Sequence, residues 1–248
     1  MIPYFELHTI SLGPITIQVW GTMVALGFLV ATWVAARRAK SQGIESNHIW
    51  NLAPWILFFA FVGARVFHVL FYDPSWYFVH PLDALNPALP GFSIIGGVLG
   101  GTAAGLIYVS RHKLKVWAMS DLIAYALPLG TGIGRIGCFL IHDHPGTLTH
   151  FVLGVKYPDG IRHDHGLYLS LLGWAMFILF YILGRKKHPP GYFAGLYLVI
   201  DGTVRFLLDF YRIGDAKYAG LTPTQWLLIL TVTVGIWILT TKRDTVNS

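Results

Sequence analysis

Seven stretches of this chain are each long and apolar enough to cross a bilayer, and that constrains the fold more than anything else in the sequence. A membrane helix needs about 20 mostly apolar residues. Residues 17–36, 92–109, 167–184 and 222–241 qualify with no Asp, Glu, Lys or Arg. Residues 49–72, 118–141 and 191–211 are apolar but interrupted. The interruptions are Arg65 and His68 in the first, Asp121 and Arg135 in the second, and Asp201, Arg205 and Asp209 in the third. The expected fold class is all-α. It is a polytopic membrane protein, a bundle of seven transmembrane helices forming a single domain over residues 1–248, with 142–166 an extracytoplasmic loop within it.

Composition supports this. Of 248 residues only 12% are charged and 54% are hydrophobic, where a soluble domain carries about 25% charged residues. Disorder, collagen-like repeats and coiled coils are excluded on the same ground. One cysteine excludes an internal disulfide framework. No basic residue precedes the first span, which argues against a cleaved signal peptide.

The formal charge of +6 is explained by where the cations sit. Arg37, Arg38 and Lys40, then Arg111, Lys113 and Lys115, then Arg185, Lys186 and Lys187, then Lys242 and Arg243 fall in alternate connections. The remaining connections hold Lys156, Arg162, Arg212 and Lys217. The positive-inside rule makes the first set cytoplasmic, so the N-terminus is expected outside and the C-terminus inside. This asymmetry leaves no nucleic-acid partner to be expected. Trp20, Trp50, Trp55, Trp76, Tyr77 and Trp117 lie near span ends, as interfacial anchors do.

Ionisable residues inside a membrane are expensive and point to function. Arg65, Arg135 and Arg205 lie about 14–17 residues into spans that run outward, which places all three roughly 21–26 Å above the inner edge of a core about 30 Å thick. Guanidinium groups at one level need anions, and arginine suits bidentate phosphate contact. An outer-leaflet phospholipid headgroup supplies that charge. The competing reading is internal pairing, because Asp201, Arg205 and Asp209 are spaced i, i+4, i+8.

Gly132 to Gly137 matches G-x-G-x-x-G, but with no strand before it and no βαβ unit around it the dinucleotide reading fails. The glycines either open the helix and aim N–H groups at an anion or permit close helix packing. Gly96, Gly97, Gly100, Gly101 and Gly105 form overlapping G-x-x-x-G spacings, for which packing is the default. Two His-Asp-His triplets, His142-Asp143-His144 and His163-Asp164-His165, fall outside the spans. Adjacent loop residues define no ligand geometry, so no metal and no other cofactor is expected. Proton transfer suits His and Asp better, while His163–His165 reads as a solvated loop. Cys138 reads as a small buried side chain.

The pattern resembles the bacterial prolipoprotein diacylglyceryl transferases over nearly the whole chain. Trp20-Gly21 followed by Arg37-Arg38 resembles that family's opening helix, and Gly63-Ala-Arg65 with Phe71-Tyr72 its second. Gly134-Arg135-Ile-Gly137-Cys138-Phe139, with Asp143 and Gly146 following, lies over the signature G-R-x-G-N-F-x-N-x-E-x-x-G. Arg162-His163 with Leu167-Tyr168 resembles R-H-P-x-Q-L-Y-E, and Asp201-Gly202-Thr-Val-Arg205-Phe206 with Asp209 and Arg212 resembles Y-G-x-x-R-F…E-F-x-R. Departures are Cys138 and Ile141 at two Asn positions, Asp143 at a Glu, Ile94-Ile95-Gly96-Gly97 at F-H-G-G, Asp201 at a Tyr and Leu169 at a Glu.

The resemblance implies transfer of a diacylglyceryl group from phosphatidylglycerol to the cysteine thiol of a lipoprotein precursor, in the bacterial cytoplasmic (inner) membrane. It implies that Arg135 and Arg205 hold the phosphate, with Arg65 supporting. Asp143 is the first candidate base, with His142 or His144 able to stand in for the missing histidine, and Asp209 is expected to position Arg205. Gly134, Gly137 and Gly146 would shape the backbone around the headgroup, with Cys138, Asp201, Gly96 and Gly97 also in the substrate region. Two alternatives remain: a relative that binds phospholipid without turnover, and a lipid-group transferase with another acceptor.

Overall fold

The computed structural model describes residues 1–86, 89, 91–214 and 216–241. Lys242 and Arg243, counted above among the cytoplasmic cations, lie outside the described residues. Among these residues seven helices have at least 18 residues: α1 (Val19–Ser41), α2 (Ser46–Phe71), α4 (Ile94–Arg111), α5 (Val116–Ile141), α6 (His165–Leu183), α7 (Tyr192–Asp209) and α8 (Pro223–Thr241). A short α3 (Pro74–Val79) follows α2. Six of the long helices are apolar enough to cross a membrane; α7, which carries Asp201, Arg205 and Asp209, falls outside that set. Many large apolar side chains on the long helices are exposed, among them Phe58, Leu99, Ile178 and Trp237. Such a surface is at home in lipid rather than water.

The all-α expectation is corrected by six short strands. β1 (Ile2–Pro3), β5 (Val155–Tyr157), β6 (Gly160–Asp164) and β4 (Pro145–Leu148) form one sheet in that order, with β1 and β5 parallel. β2 (Thr9–Leu12) and β3 (Ile15–Gln18) form a separate hairpin, turning at Gly13, whose φ of 62° suits a residue without a side chain. Segments outside a helix must still pair their backbone groups. Here the loop between α5 and α6 does so as a sheet, a pattern too short to read against the apolar spans.

The chain divides into two compact units, Ala36–Met119 and Met1–Ala35 with Ser120–Ser248. In the first, α2 and α4 meet through glycine. A side chain at Gly63 would run into the backbone of Gly96 and Gly100, and one at Gly96 would strike Gly63 and Phe67. Trp55 donates to the Ala104 carbonyl across the same contact, at 3.2 Å. Small residues allow backbones to approach this closely in membrane helices. The packing default for this stretch holds, and Gly96 is placed by it rather than by a ligand. Gly97 lies 3.5 Å from α2 by the same measure and lines a shallow apolar groove with Leu57, Phe61 and Val98.

In the second unit α5 is an unbroken helix through its glycine run, so the open, N–H-presenting backbone considered above does not form. Gly130 abuts Gly27 and Ala31 of α1, Gly137 abuts Trp20 and Met23, and Gly132 abuts Gly173 and Trp174 of α6. Ser170 adds a hydrogen bond to the Gly132 carbonyl at 2.8 Å. Gly134 touches Val24 only at ordinary van der Waals distance. The run is therefore a two-sided packing surface, which holds α5 between α1 and α6.

Polar side chains cap the helices. Asp121, inside α5, accepts from the N–H groups of Gly191 and Ala194 at 2.8 and 2.9 Å and so caps α7. Thr222 and Gln225 form a reciprocal box at the start of α8, the Gln225 N–H donating to Thr222 Oγ1 and the Thr222 N–H to Gln225 Oε1.

Candidate functional site

Arg65 is buried, 9% exposed, and its guanidinium faces a ring of carbonyls. Nε donates to Ala84, Nη1 to Leu89 and Gly91, and Nη2 to Asp83 and Asn86, at 2.6–3.3 Å. Among the described residues, all three nitrogens of the guanidinium thus find carbonyl acceptors. The rings of Tyr77 and Phe92 flank it at 5.4 and 5.5 Å. The expectation that Arg65 supports a phosphate is corrected accordingly: it closes the connection between α3 and α4.

Arg135 and Arg205 sit differently. Arg135, on α5, is under the electrostatic influence of Arg205, Cys138, Asp143 and Asp201, and is within hydrogen-bonding reach of Cys138. Arg205, on α7, pairs through Nε with Asp201 at 2.7 Å. One helical turn separates those two residues, the spacing at which side chains on one face meet. Asp201 thus stands in the field of both guanidinium groups, and Asp143 in that of Arg135. Cys138 is buried, as the sequence suggested, with Trp20 also within hydrogen-bonding reach.

Asp209 does not position Arg205. It accepts a short hydrogen bond from Thr222 and faces Arg212 at 3.6 Å, tying the end of α7 to the start of α8. Asp201 has the role expected of Asp209. An i, i+4, i+8 row offers Arg205 either carboxylate, and only the packing of α8 against one end decides between them.

At the outer end of α5 three side chains gather. Asp143 and His144 pair at 2.5 Å, and Cys138 joins them, with one ligand-type atom from each residue inside 4.8 Å. The spacing 138/143/144 reaches around the end of a helix, which is why no metal-ligand pattern was legible. Arg135 lies in the same field.

His142 turns away from its neighbours in the triplet. It is the first residue past α5, and its φ of 49° is the left-handed conformation that ends helices. Its Nδ1 meets Asp164 Oδ2 at 2.7 Å, with both side chains at most 2% exposed. Tyr157 donates to the same oxygen at 2.7 Å, and Asp164 Oδ1 accepts from the Leu167 N–H at 2.8 Å, capping α6. The Tyr4 ring stacks on the imidazole at 4.5 Å. Burial first, and the Asp164 hydrogen bond second, push the Tyr157 hydroxyl up and keep it a donor.

The solvated reading of His163–His165 is overturned, since Asp164 is 1% and His165 3% exposed. His165 Nε2 bonds the Leu208 carbonyl at 2.9 Å, and His163 Nδ1 faces the Tyr168 hydroxyl at 2.9 Å. Burial, and then His165, hold His163 below the ordinary histidine range. Asp164, Tyr157 and Tyr4 are the polar groups sequence reasoning missed, for they meet only when β5, β6 and the N-terminus fold over α5. Gly146 is placed by contact: a side chain there would meet the Tyr211 carbonyl, His163 and His165 at 2.8–3.0 Å, and its carbonyl accepts from Arg162 at 2.9 Å.

The family model described as prolipoprotein diacylglyceryl transferase matches residues 8–241. Similar proteins named phosphatidylglycerol–prolipoprotein diacylglyceryl transferase occur in Nitratidesulfovibrio vulgaris, 29% identical over 98% of this chain and 96% of the relative, and in Nitrosomonas europaea, 32% identical over 96% and 90%. Another from Photobacterium profundum is 34% identical over 87% and 83%. With the match running from the β2–β3 hairpin to the last helix, this chain belongs to the prolipoprotein diacylglyceryl transferase family.

Proposed function

We propose that this protein transfers the diacylglyceryl group of phosphatidylglycerol to the cysteine thiol of a lipoprotein precursor. In this reading all seven long helices cross the bacterial inner membrane as one domain, with the N-terminus outside and the C-terminus cytoplasmic. Alternating basic connections support the orientation. The carrying observation is that Arg135 and Arg205 lie in each other's field, Arg205 paired with Asp201 and Arg135 also in the field of Asp143. Two guanidinium groups brought together in a low-dielectric setting suit a phosphodiester anion.

In the reaction the thiol sulfur attacks the glyceryl carbon bonded to the phosphate oxygen. The carbon–oxygen bond breaks, its electron pair leaves on the phosphate, and glycerol phosphate departs. Arg135 and Arg205 stabilise the departing charge. The thiol must lose its proton, and the polar cluster ending α5 offers Asp143, His144 and His142 for that purpose. Asp201 keeps Arg205 aimed, and Arg65 holds its own connection in shape.

The test is a transfer assay with purified protein, phosphatidylglycerol vesicles and a cysteine-containing precursor peptide. Lipid-modified peptide and released glycerol phosphate are the expected products. Saturable lipid binding without product would overturn the transferase reading in favour of a lipid-binding relative.

A further inference from the structure

The His142–Asp164 pair is built like a proton acceptor and is not explained by packing alone. Asp164 takes the Nδ1 proton at 2.7 Å, which fixes the imidazole tautomer and leaves the lone pair on Nε2. Nε2 is buried and makes no hydrogen bond among the described residues. A buried polar atom without a partner is costly and needs a reason. The rest of the ring is fully engaged: Tyr4 stacks on one face, Phe139 and Tyr157 meet it edge-on, and Tyr157 steadies the carboxylate. The charged and titratable groups around the ring are Asp164 from the β6–α6 junction, Tyr157 from β5, and Tyr4 and Glu6 from the N-terminal segment. Asp143 follows it directly in the chain. Three of these, Asp164, Glu6 and Asp143, are carboxylates that would stabilise an imidazolium.

We propose that His142 Nε2 accepts the thiol proton in the reaction assigned above, with Asp164 and Tyr157 as its positioning residues; this rests on the transferase reading. His142 follows Cys138 by about one helical turn and Arg135 by about two, roughly 10 Å along α5. Along the chain the acceptor thus follows closely on the segment proposed to hold the phosphate. The proton passes from sulfur to Nε2 as the sulfur–carbon bond forms and the carbon–oxygen bond to phosphate breaks. Asp164 balances the imidazolium, which then releases its proton to water.

His142→Gly is the informative variant, because glycine adopts the positive φ at this position without strain and leaves a space the size of imidazole. In the vesicle assay it is expected to lose at least about 100-fold in turnover, to bind phosphatidylglycerol as wild type does, and to recover about tenfold or more with added imidazole. Asp164→Asn, which can still cap α6, is expected to lower kcat with KM little changed and to alter the pH profile of kcat/KM. Should His142→Gly fail to fold, His142→Gln takes its place, with the same loss expected and lipid binding retained. Near wild-type turnover in the His142 variant overturns this assignment and leaves the transferase reading standing. So does a folded, lipid-binding His142→Gly that imidazole does not revive. A wild-type protein that binds lipid and transfers nothing overturns both.

Discussion

Arg65 and Arg205 carry the same group on apolar helices and use it in opposite ways. Arg65 spends its donors on carbonyls of its own connection. Arg205 has one carboxylate, Asp201, and feels a second cation, Arg135. A guanidinium surrounded by neutral carbonyl dipoles is satisfied as a donor and organises a loop. One that shares its carboxylate with a second guanidinium is left open to an anion. Residue type is the same in the two places and Arg65 is the more buried of the two, so it is the acceptor set that separates a structural arginine from a binding one.

The strongest way to break this contrast is to remove each arginine. Arg135→Ala or Arg205→Ala is expected to lower transfer by at least 100-fold, consistent with about 3–4 kcal/mol for one stabiliser of developing negative charge. Phosphatidylglycerol binding should fall with it in a vesicle-binding measurement. A variant that binds as well as wild type would remove that arginine from the headgroup site. Arg65→Ala should act on folding instead. Carbonyls stripped of a partner cost about 1–3 kcal/mol each when buried, so a clear fall in thermal stability is expected, with lipid binding kept by the protein that remains folded. Normal stability with lost binding would reverse the roles.

A smaller effect separates glycines that pack from one that lines a groove. Gly63→Ala drives a methyl group into the backbone of Gly96 and Gly100, and overpacking of this kind costs about 1–3 kcal/mol. Gly97→Ala meets Ala60 and Ala64 at 3.5–3.6 Å, an ordinary contact, and should leave the melting temperature nearly unchanged. Equal effects would show that α2 and α4 adjust to each other more freely than their spacing implies.

The smallest expected effect concerns pH. Burial and His165 depress His163 below its usual 6.5. The unfolded chain therefore takes up this proton first as pH falls. The stabilising contribution of neutral His163 is full above about 6.5 and is lost on acidification from there through the folded value. His163→Gln should flatten the stability profile across that window in an unfolding series. An unaltered acid limb would place the sensitivity elsewhere.

Much of the fold was legible in the sequence because lipid enforces one rule along the whole chain. The apolar stretches appear as helices close to where hydropathy places them, and glycine at i, i+4 spacing on α4 does pack. The sheet over residues 145–164 was not legible, since two- to five-residue strands leave little periodicity to read. At the site, Arg135 and Arg205 could be picked out because an ionisable residue stands out against an apolar span, and Cys138 and Asp143 because they lie with Arg135 in one family signature. Asp164 could not, for a polar residue in a polar loop gives no contrast, and the partner that gives it meaning lies 22 positions away.

Sequence by itself determined that the chain is made of long apolar helices, which of them carry charge, and on which connections the cations gather. Each of these follows from the composition of a single segment and needs no neighbour. Tertiary structure alone decided that Arg65 is a clamp, that Asp201 rather than Asp209 faces Arg205, and that His142 leans on Asp164. Those outcomes depend on which donors and acceptors arrive within about 3 Å of one another, a distance set by how helices and strands pack and carried by no segment alone.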